Sequence, residues 1–187
     1  GYFVGTAIIT ASTENGKTAT CKGTVKISAT KLKLNQTKVT LGVNEKFTLK
    51  ATVTPKNATN KVSWSVDKKS VASISSKGVI TAKKAGKAVI TAKIDKQTVK
   101  CTVTVKKAPK SIRLNAEKKT LKKGKKFQIQ VTLPTNTASN EITYKSSDKK
   151  IATVSDNGKV TAKKKGKATI TVKTFNNKKA KLKITVK

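Results

Sequence analysis

Apolar and polar residues alternate along most of the chain. The segment "FTLKATV" places Phe47, Leu49, Ala51 and Val53 on one face and polar residues on the other. A period of two residues is that of a half-buried β-strand. The same alternation recurs in "VSWSV" at 62–66, "AVITAKI" at 88–94 and "VKCTVTV" at 99–105. No stretch keeps apolar residues at helical spacing over three turns, so the pattern predicts an all-β protein.

The sequence repeats itself with a period of about 80 residues. "TAKKAGKAVITAK" at 81–93 returns as "TAKKKGKATITVK" at 161–173, and Trp64 falls on Tyr144. A fixed period over almost a whole unit marks a tandem repeat. Because a unit of this length can close its own small core, we expect separate domains rather than the turns of a solenoid.

The first residues match the end of a further copy. "AIITA" at 7–11 corresponds to "AVITA" at 88–92, and Cys21 corresponds to Cys101. We therefore interpret residues 1–28 as the C-terminal strands of a truncated preceding repeat, followed by repeat 1 at 29–107 and repeat 2 at 108–187. Because two strands seldom stand alone in water, we expect either a piece cut from a longer protein or a repeat that another segment completes.

Turn residues separate the predicted strands. Asn15-Gly16 is a strong signal for a two-residue hairpin turn, and Gly78 and Gly158 occupy equivalent corners. About seven short strands per unit, with one large aromatic residue on the middle strand, are typical of a small immunoglobulin-like sandwich. The joints between units are short, and Pro109 stiffens the second, so the pattern predicts tandem immunoglobulin-like β-sandwich modules arranged as a rod.

The order of these segments also resembles a known family. "ATVTPKNATNKVSWS" at 51–65, followed by "VASISSKGVITAKKAGKAVITA" at 71–92, is similar to the bacterial immunoglobulin-like domain, group 2. Repeat 2 departs from the pattern at "LPTNTASNEITYKSS" (133–147), where Tyr replaces Trp and the proline is shifted by one residue. The family occurs in intimin- and invasin-like adhesins, in other bacterial surface proteins and in some phage structural proteins. The resemblance implies an extracellular protein at the bacterial cell surface, or a secreted one, and names no ligand.

The composition leaves little material for catalysis. The chain has no histidine and only 8 acidic residues. Imidazole bases, histidine-dependent nucleophiles and histidine metal ligands are therefore excluded. The acids are scattered and do not recur between repeats, and neither an Asp-x-Asp calcium loop nor a glycine-rich phosphate loop is present. We expect no enzyme activity, no cofactor and no metal site.

The two cysteines occupy the same inward position in two different repeats. Leu182 holds that position in repeat 2, so the site treats cysteine as a small apolar residue. A disulfide needs Cα atoms within about 7 Å, which modules placed end to end do not supply. We expect two buried free thiols. The predicted core residues are Phe47, Trp64, Cys101, Phe127, Tyr144 and Leu182.

Charge is the extreme feature of the sequence. There are 43 basic and 8 acidic residues, for a net charge of +35. The electrostatic field of this positive charge attracts polyanions. Lysine, however, offers only a mobile point charge. Outward strand positions and turns are also where any solvated sandwich keeps its polar residues. A solvated, generically cationic face and a functional polyanion surface both stay open. The candidate polyanion contacts are Lys83, Lys84, Lys87, Lys163, Lys164, Lys165, Lys167 and Phe175, the last at a hairpin tip.

Two classes of function fit these observations. The first is a non-catalytic stalk or spacer in bacterial cell adhesion or envelope attachment, whose partners are neighbouring immunoglobulin-like repeats of the same parent protein. The alternative is a module that binds anionic polymers of the cell envelope or host surface (teichoic acid, acidic glycan or nucleic acid), or a structural or decoration domain of a phage virion. We expect no specific nucleic-acid site, because the large aromatics are in core phase. The sequence contains no predicted transmembrane segment.

Overall fold

A computed structural model describes residues 4–187, and every regular element in that range is a β-strand. Before repeat 1 lie β1 (Gly5–Ser12) and β2 (Thr18–Val25). Repeat 1 contains β3 (Lys31–Leu34), β4 (Lys38–Gly42), β5 (Lys46–Thr48), β6 (Ala51–Thr54), β7 (Ser63–Val66), β8 (Ala72–Ile74), β9 (Val79–Ala82), β10 (Gly86–Ile94) and β11 (Gln97–Lys106). Repeat 2 contains β12 (Arg113–Leu114), β13 (Lys118–Leu121), β14 (Lys126–Gln128), β15 (Val131–Thr132), β16 (Ile142–Ser146), β17 (Ala152–Val154), β18 (Lys159–Ala162), β19 (Gly166–Thr174) and β20 (Lys179–Val186).

Each repeat is a sandwich with the same topology. In repeat 1, one sheet has the order β4-β11-β10-β7, and the opposite layer consists of β5-β9-β8 with β3-β6. Repeat 2 has the sheet β13-β20-β19-β16, opposed by β14-β18-β17 and β12-β15. The first strand of each four-stranded sheet pairs in parallel with the last strand of its repeat, and the other pairs are antiparallel. The prediction of tandem immunoglobulin-like sandwiches is confirmed.

The segment "FTLKATV" is divided between two sheets, although its alternation predicts one strand. β5 pairs with β9, whereas β6 pairs with β3. At the break, Leu49 N–H donates to the Gly78 carbonyl at 2.9 Å, and Lys50 N–H donates to the Asn35 side-chain oxygen at 2.8 Å. These bonds satisfy the backbone where the chain crosses from one pair to the other.

The inward residues of both layers form a separate core in each repeat. Ile90 and Cys101 lie opposite each other in repeat 1, Ile170 and Leu182 do so in repeat 2, and all four are fully buried. The four large aromatics that the sequence assigns to the core are half-buried and pack against its edge: Phe47, Trp64, Phe127 and Tyr144. The fully buried volume is therefore aliphatic, and the aromatics close it at the sides.

The first hairpin has the same register as the last two strands of the repeats. Cys21 lies opposite Ile9, as Cys101 lies opposite Ile90. Both faces of this hairpin are accessible, and Ile8 and Ile9 are 68% and 65% exposed. Cys21 is exposed as well, so the expectation of two buried thiols is wrong for Cys21 and correct for Cys101. The inward phase of a strand buries a side chain only where a second layer covers it.

The hairpin turns differ from the two-residue type that Asn15-Gly16 predicts. Thr13 N–H donates to the Lys17 carbonyl and Gly16 N–H to the Thr13 carbonyl, both at 2.9 Å, which leaves three residues in the loop. Gly16 has φ +77°, the left-handed conformation that follows a type I turn in such loops. The corners at Gly78 and Gly158 have the same conformation and lie against Trp64 and Tyr144.

Ile90→Ala is expected to destabilise repeat 1 by about 3 kcal/mol, because it leaves a cavity in a fully buried site. Trp64 is the single tryptophan of the chain and reports on repeat 1 alone, so its fluorescence during denaturant unfolding measures the effect. Ile170→Ala is the matched control in repeat 2. A loss below about 1 kcal/mol for Ile90→Ala, or equal shifts of the tryptophan transition in both variants, contradicts two separate cores.

Candidate functional site: the junction between the repeats

The segment that connects the repeats is held by loops of repeat 2. The Lys107 carbonyl accepts a hydrogen bond from Ala138 N–H at 3.0 Å, and the Pro109 carbonyl accepts one from Asn176 Nδ2 at 2.8 Å. Ala138 belongs to the loop that precedes β16, and Asn176 belongs to the tip of the β19–β20 hairpin. Pro109 itself is buried. The connection therefore lies in a groove of repeat 2.

A carboxylate of repeat 1 binds the backbone of repeat 2. Glu45 Oε1 accepts a hydrogen bond from Glu141 N–H at 2.7 Å, and Oε2 accepts one from Asn140 N–H at 3.0 Å. Oε2 also accepts a hydrogen bond from Gly42 N–H within repeat 1, at 2.8 Å. The Glu45 side chain is only 1% exposed, because the two repeats enclose it. We call Glu45 and its three N–H donors the clasp.

The energetics of the clasp depend on its being complete. A buried carboxylate is strongly unfavourable unless hydrogen bonds replace the water it has lost. Hydrogen bonds to a charged group contribute about 1.5–3 kcal/mol each. Because two of the three donors belong to repeat 2, moving repeat 2 away breaks these bonds. Partial loss of these hydrogen bonds leaves a buried charge without partners, so the clasp holds repeat 2 in place.

An aromatic ring closes the junction beside the clasp. Phe175, at the tip of the β19–β20 hairpin, packs against Gly42 at the end of β4. A Cβ atom at Gly42 would overlap both the Phe175 ring and the Ala138 carbonyl oxygen, so any larger residue there forces the repeats apart. Phe175 N–H donates to Ser139 Oγ at 3.2 Å, which holds the tip against its neighbouring loop.

Repeat 1 holds its own leading segment in the same way, with different side chains. Asp95 is at the tip of the β10–β11 hairpin and accepts a hydrogen bond from Ala29 N–H at 2.6 Å and another from the Asn60 amide. The Ala29 bond, the Asn60 bond and the charge of Lys26 together hold the pKa of Asp95 below its usual value of 3.8. In both repeats, therefore, the hairpin tip binds the segment that enters the sandwich.

The lysines predicted as polyanion contacts do not form one cluster. Lys83 and Lys84 lie in the turn after β9, where their N–H groups donate to the Val71 carbonyl at 2.8 and 3.2 Å. Lys163, Lys164 and Lys165 occupy the equivalent turn of repeat 2.

Lys87 and Lys167 lie instead on the outward faces of β10 and β19, opposite Thr104 and Thr185. Phe175 does not project freely as a ligand contact, because its ring packs against repeat 1. The ring is half-buried, and a role of Phe175 as a polyanion contact stays a prediction.

Sequence reasoning missed Glu45 and Gly42. Their partners across the junction are mostly backbone groups, which are present whatever the side chains of repeat 2 are. One signal was available: the four residues at 42–45 all differ from those at 122–125, and among them Gly42 and Glu45 fall on Lys122 and Lys125. A change of size and of charge sign at equivalent positions marks a place where the two repeats meet different surroundings.

The buried groups elsewhere are chemically quiet. Burial raises the pKa of the Cys101 thiol and that of the Tyr144 hydroxyl, which keeps both groups protonated at neutral pH. Within residues 4–187, no three side chains of the metal-ligating types come together. Over the same residues there is no helix that is long and apolar enough to cross a membrane.

The lowered pKa of Asp95 predicts a pH-dependent contribution to the stability of repeat 1. A depressed carboxyl pKa stabilises the fold above the unfolded-state value, and this contribution is lost as pH falls through the folded-state value. Repeat 1 of the wild type is therefore expected to have a higher free energy of unfolding than Asp95→Asn, and this difference is expected to shrink as pH falls below about 4. Trp64 fluorescence in denaturant titrations at several pH values measures it. A stability difference for Asp95→Asn that is constant down to pH about 2.5 contradicts the assignment.

Several curated proteins contain a segment similar to this chain. An uncharacterized protein of Clostridium acetobutylicum is 34% identical over 150 residues, which cover 78% of this chain and 16% of that protein. A kappa-carrageenase of Pseudoalteromonas carrageenovora is 49% identical over 70 residues, covering 37% of this chain and 18% of the enzyme. The chain thus spans less than a fifth of the length of these relatives.

Solved structures to which the chain is similar include parts of an S-layer protein and of intimin. Domains 4 and 5 of the S-layer protein SbsC are 24% identical, with a TM-score of 0.38, and the match covers 86% of this chain and 99% of that one. A C-terminal fragment of intimin, in complex with the intimin-binding domain of its translocated receptor, is 17% identical, with a TM-score of 0.35, and the match covers 85% of this chain and 64% of that one.

The family model for the bacterial Ig-like domain (group 2) matches the chain twice, at residues 28–105 and 108–186. Each matched range contains one complete sandwich with its own core. The two matches together cover most of the chain, and they agree with the resemblance that the repeated segments carry. The chain belongs to the bacterial Ig-like domain family, group 2.

Proposed function

We propose that the chain is a non-catalytic spacer that holds its neighbours at a fixed distance and orientation at a bacterial surface, in cell adhesion or envelope attachment. The observation that carries the proposal is the clasp, because a buried carboxylate with donors from both repeats resists bending. A flexible tether needs no such contact, since a polar linker alone gives freedom of motion. A rigid junction is what a spacer requires.

Three contacts at the junction act on different degrees of freedom. The hydrogen bonds to Lys107 and Pro109 fix where the connecting segment runs. The clasp resists separation of the repeats, and the packing of Phe175 on Gly42 resists tilting on that side. Together they support a stiff pair of modules rather than two independent beads.

The chemistry of the chain supports a mechanical role. The chain has no histidine, and the carboxylate that is most deeply buried, Glu45, has all its hydrogen bonds inside the junction. A general base needs an accessible lone pair near a bound substrate. The family and the fold fit a surface module, and we propose an extracellular location, on the cell surface or secreted.

The proposed spacer is one part of a larger protein. The matching segments of the curated relatives are short parts of long chains, and one of those relatives is an enzyme by name. We propose that the hairpin of β1 and β2 ends a further repeat, because its Ile9–Cys21 pair has the register of the Ile90–Cys101 pair. In this arrangement the repeats present other domains of the parent protein.

Removal of the clasp is expected to loosen the junction. Spin labels at Ser76→Cys and Asp156→Cys, equivalent exposed turns of the two repeats, report the distance between repeats once Cys21 is replaced by Ser. The wild type is expected to give a narrow distance distribution. Glu45→Ala is expected to broaden it, because two backbone donors of repeat 2 lose their acceptor, at a cost of about 1–3 kcal/mol.

Lys125→Ala is the matched control, since Lys125 is the equivalent residue of repeat 2 and is exposed. Phe175→Ala tests the same junction from the other side and is also expected to broaden the distribution. Far-UV circular dichroism establishes that both repeats remain folded in each variant. A wild-type distribution as broad as that of Glu45→Ala contradicts the rigid spacer.

A further inference from the structure

The outward side of the four-stranded sheet of repeat 2 consists of lysine and threonine alone. Twelve side chains from β13, β16, β19 and β20 point outward, opposite in phase to the buried residues of these strands. Five of them are threonines, and the other seven form what we call the lysine face: Lys118, Lys145, Lys167, Lys173, Lys179, Lys181 and Lys183. Six of the seven are exposed, and Lys173 is half-buried.

Repeat 1 provides an internal comparison for this face. The equivalent positions of its sheet carry four lysines: Lys38, Lys87, Lys93 and Lys100. The three additional lysines of repeat 2, at 145, 179 and 183, stand where repeat 1 has Ser65, Thr98 and Thr102. The same fold is therefore stable with a much lower charge on this face.

The additional lysines create unfavourable pairs. Lys118 lies directly beside Lys183, and Lys173 lies directly opposite Lys179. Like charges at facing positions of neighbouring strands are destabilising. Repeat 1 avoids both pairs, because Lys38 lies beside Thr102 and Lys93 lies opposite Thr98. A face that only needs to be solvated gains nothing from two repulsive pairs, whereas a bound anion removes the repulsion.

The lysine face also borders two depressions in which a ligand can lie. A depression of about 850 Å³ at the β16 edge of this face is lined by Lys145, Lys173 and Lys179, and also by Asp156 of the opposite layer. A second one, of about 460 Å³, is lined by Lys118, Lys167 and Lys183. Threonine hydroxyls lie between the lysines across the strands and add neutral hydrogen-bond donors.

We propose that the lysine face of repeat 2 binds a flexible linear polymer that carries phosphate or sulfate groups along its length. Residues two apart on one side of a strand are about 6.8 Å apart, so Lys179, Lys181 and Lys183 span about 14 Å along β20. One small anion cannot contact both ends of that row, but a chain of anionic groups can. Lysine suits such a ligand, since it binds as a mobile point charge and imposes no planar geometry. This binding role goes beyond the spacer role and does not depend on the clasp.

The test compares two triple variants of the intact chain with the same change of net charge. One is Lys145→Ser, Lys179→Thr and Lys183→Thr, which gives repeat 2 the residues of repeat 1. The other is Lys38→Thr, Lys93→Thr and Lys100→Thr in repeat 1. Binding to inorganic polyphosphate and to heparin is measured at about 0.15 M salt and across a salt titration.

The repeat 2 triple variant is expected to lose at least about tenfold in affinity, and its log–log salt slope to fall by about 2, from three lost contacts at roughly 0.7 each. The repeat 1 triple variant is expected to lose less than about threefold. Binding of polyphosphate by the wild type identifies a phosphate polymer as the ligand class, and binding of heparin identifies a sulfated one. Equal losses in both triple variants, or no binding of either polymer by the wild type, overturn the proposal.

A second comparison guards against a folding defect in the triple variants. Lys181 and Lys100 are equivalent, exposed and each opposite a threonine, so Lys181→Thr and Lys100→Thr differ only in the repeat that they affect. Lys181→Thr is expected to weaken binding by several-fold more than Lys100→Thr. Equal effects of these two single variants overturn the proposal in the same way.

Discussion

The carboxylate of Glu45 is the interaction on which the arrangement of the two repeats depends. It is enclosed at the junction and accepts N–H groups from both sides, two of them from repeat 2. A surface ion pair tolerates movement because water replaces the partner at little cost. A buried carboxylate does not, because each lost donor leaves part of the charge without a partner. The choice of backbone N–H groups as partners also makes the contact insensitive to side-chain rotation in repeat 2.

The two repeats have the same interior and different ends. Ile90 with Cys101 and Ile170 with Leu182 occupy the same place in the same sheet, and apolar exchange between Cys and Leu leaves the sandwich intact. The two repeats differ at their ends and on their outward faces. Repeat 1 has Glu45 where repeat 2 has Lys125, and its hairpin tip has Asp95 where that of repeat 2 has Phe175. In a tandem array the core decides that each module folds, and the residues at the ends decide how a module meets its neighbour.

The sequence alone was sufficient for the sandwich and insufficient for the junction. Alternation with a period of two and the repeated segments predict the strands and the core, because the apolar or polar character of each side chain decides whether it is buried. The clasp could not be predicted, since its donors at Asn140 and Glu141 are backbone groups. The packing of Phe175 on Gly42 could not be predicted either, because it depends on where the neighbouring repeat lies. Cys21 was misjudged, since its inward phase has no covering layer among the described residues.

The most direct test of the account is amide hydrogen exchange at Asn140 and Glu141, followed by NMR in the intact chain. These N–H groups lie in a loop and are expected to exchange slowly only because Glu45 accepts them, so that Glu45→Ala accelerates both by at least about tenfold while Lys125→Ala leaves them unchanged. Rapid exchange at both positions in the wild type would mean that the carboxylate does not hold repeat 2, and the account of a fixed junction would be wrong.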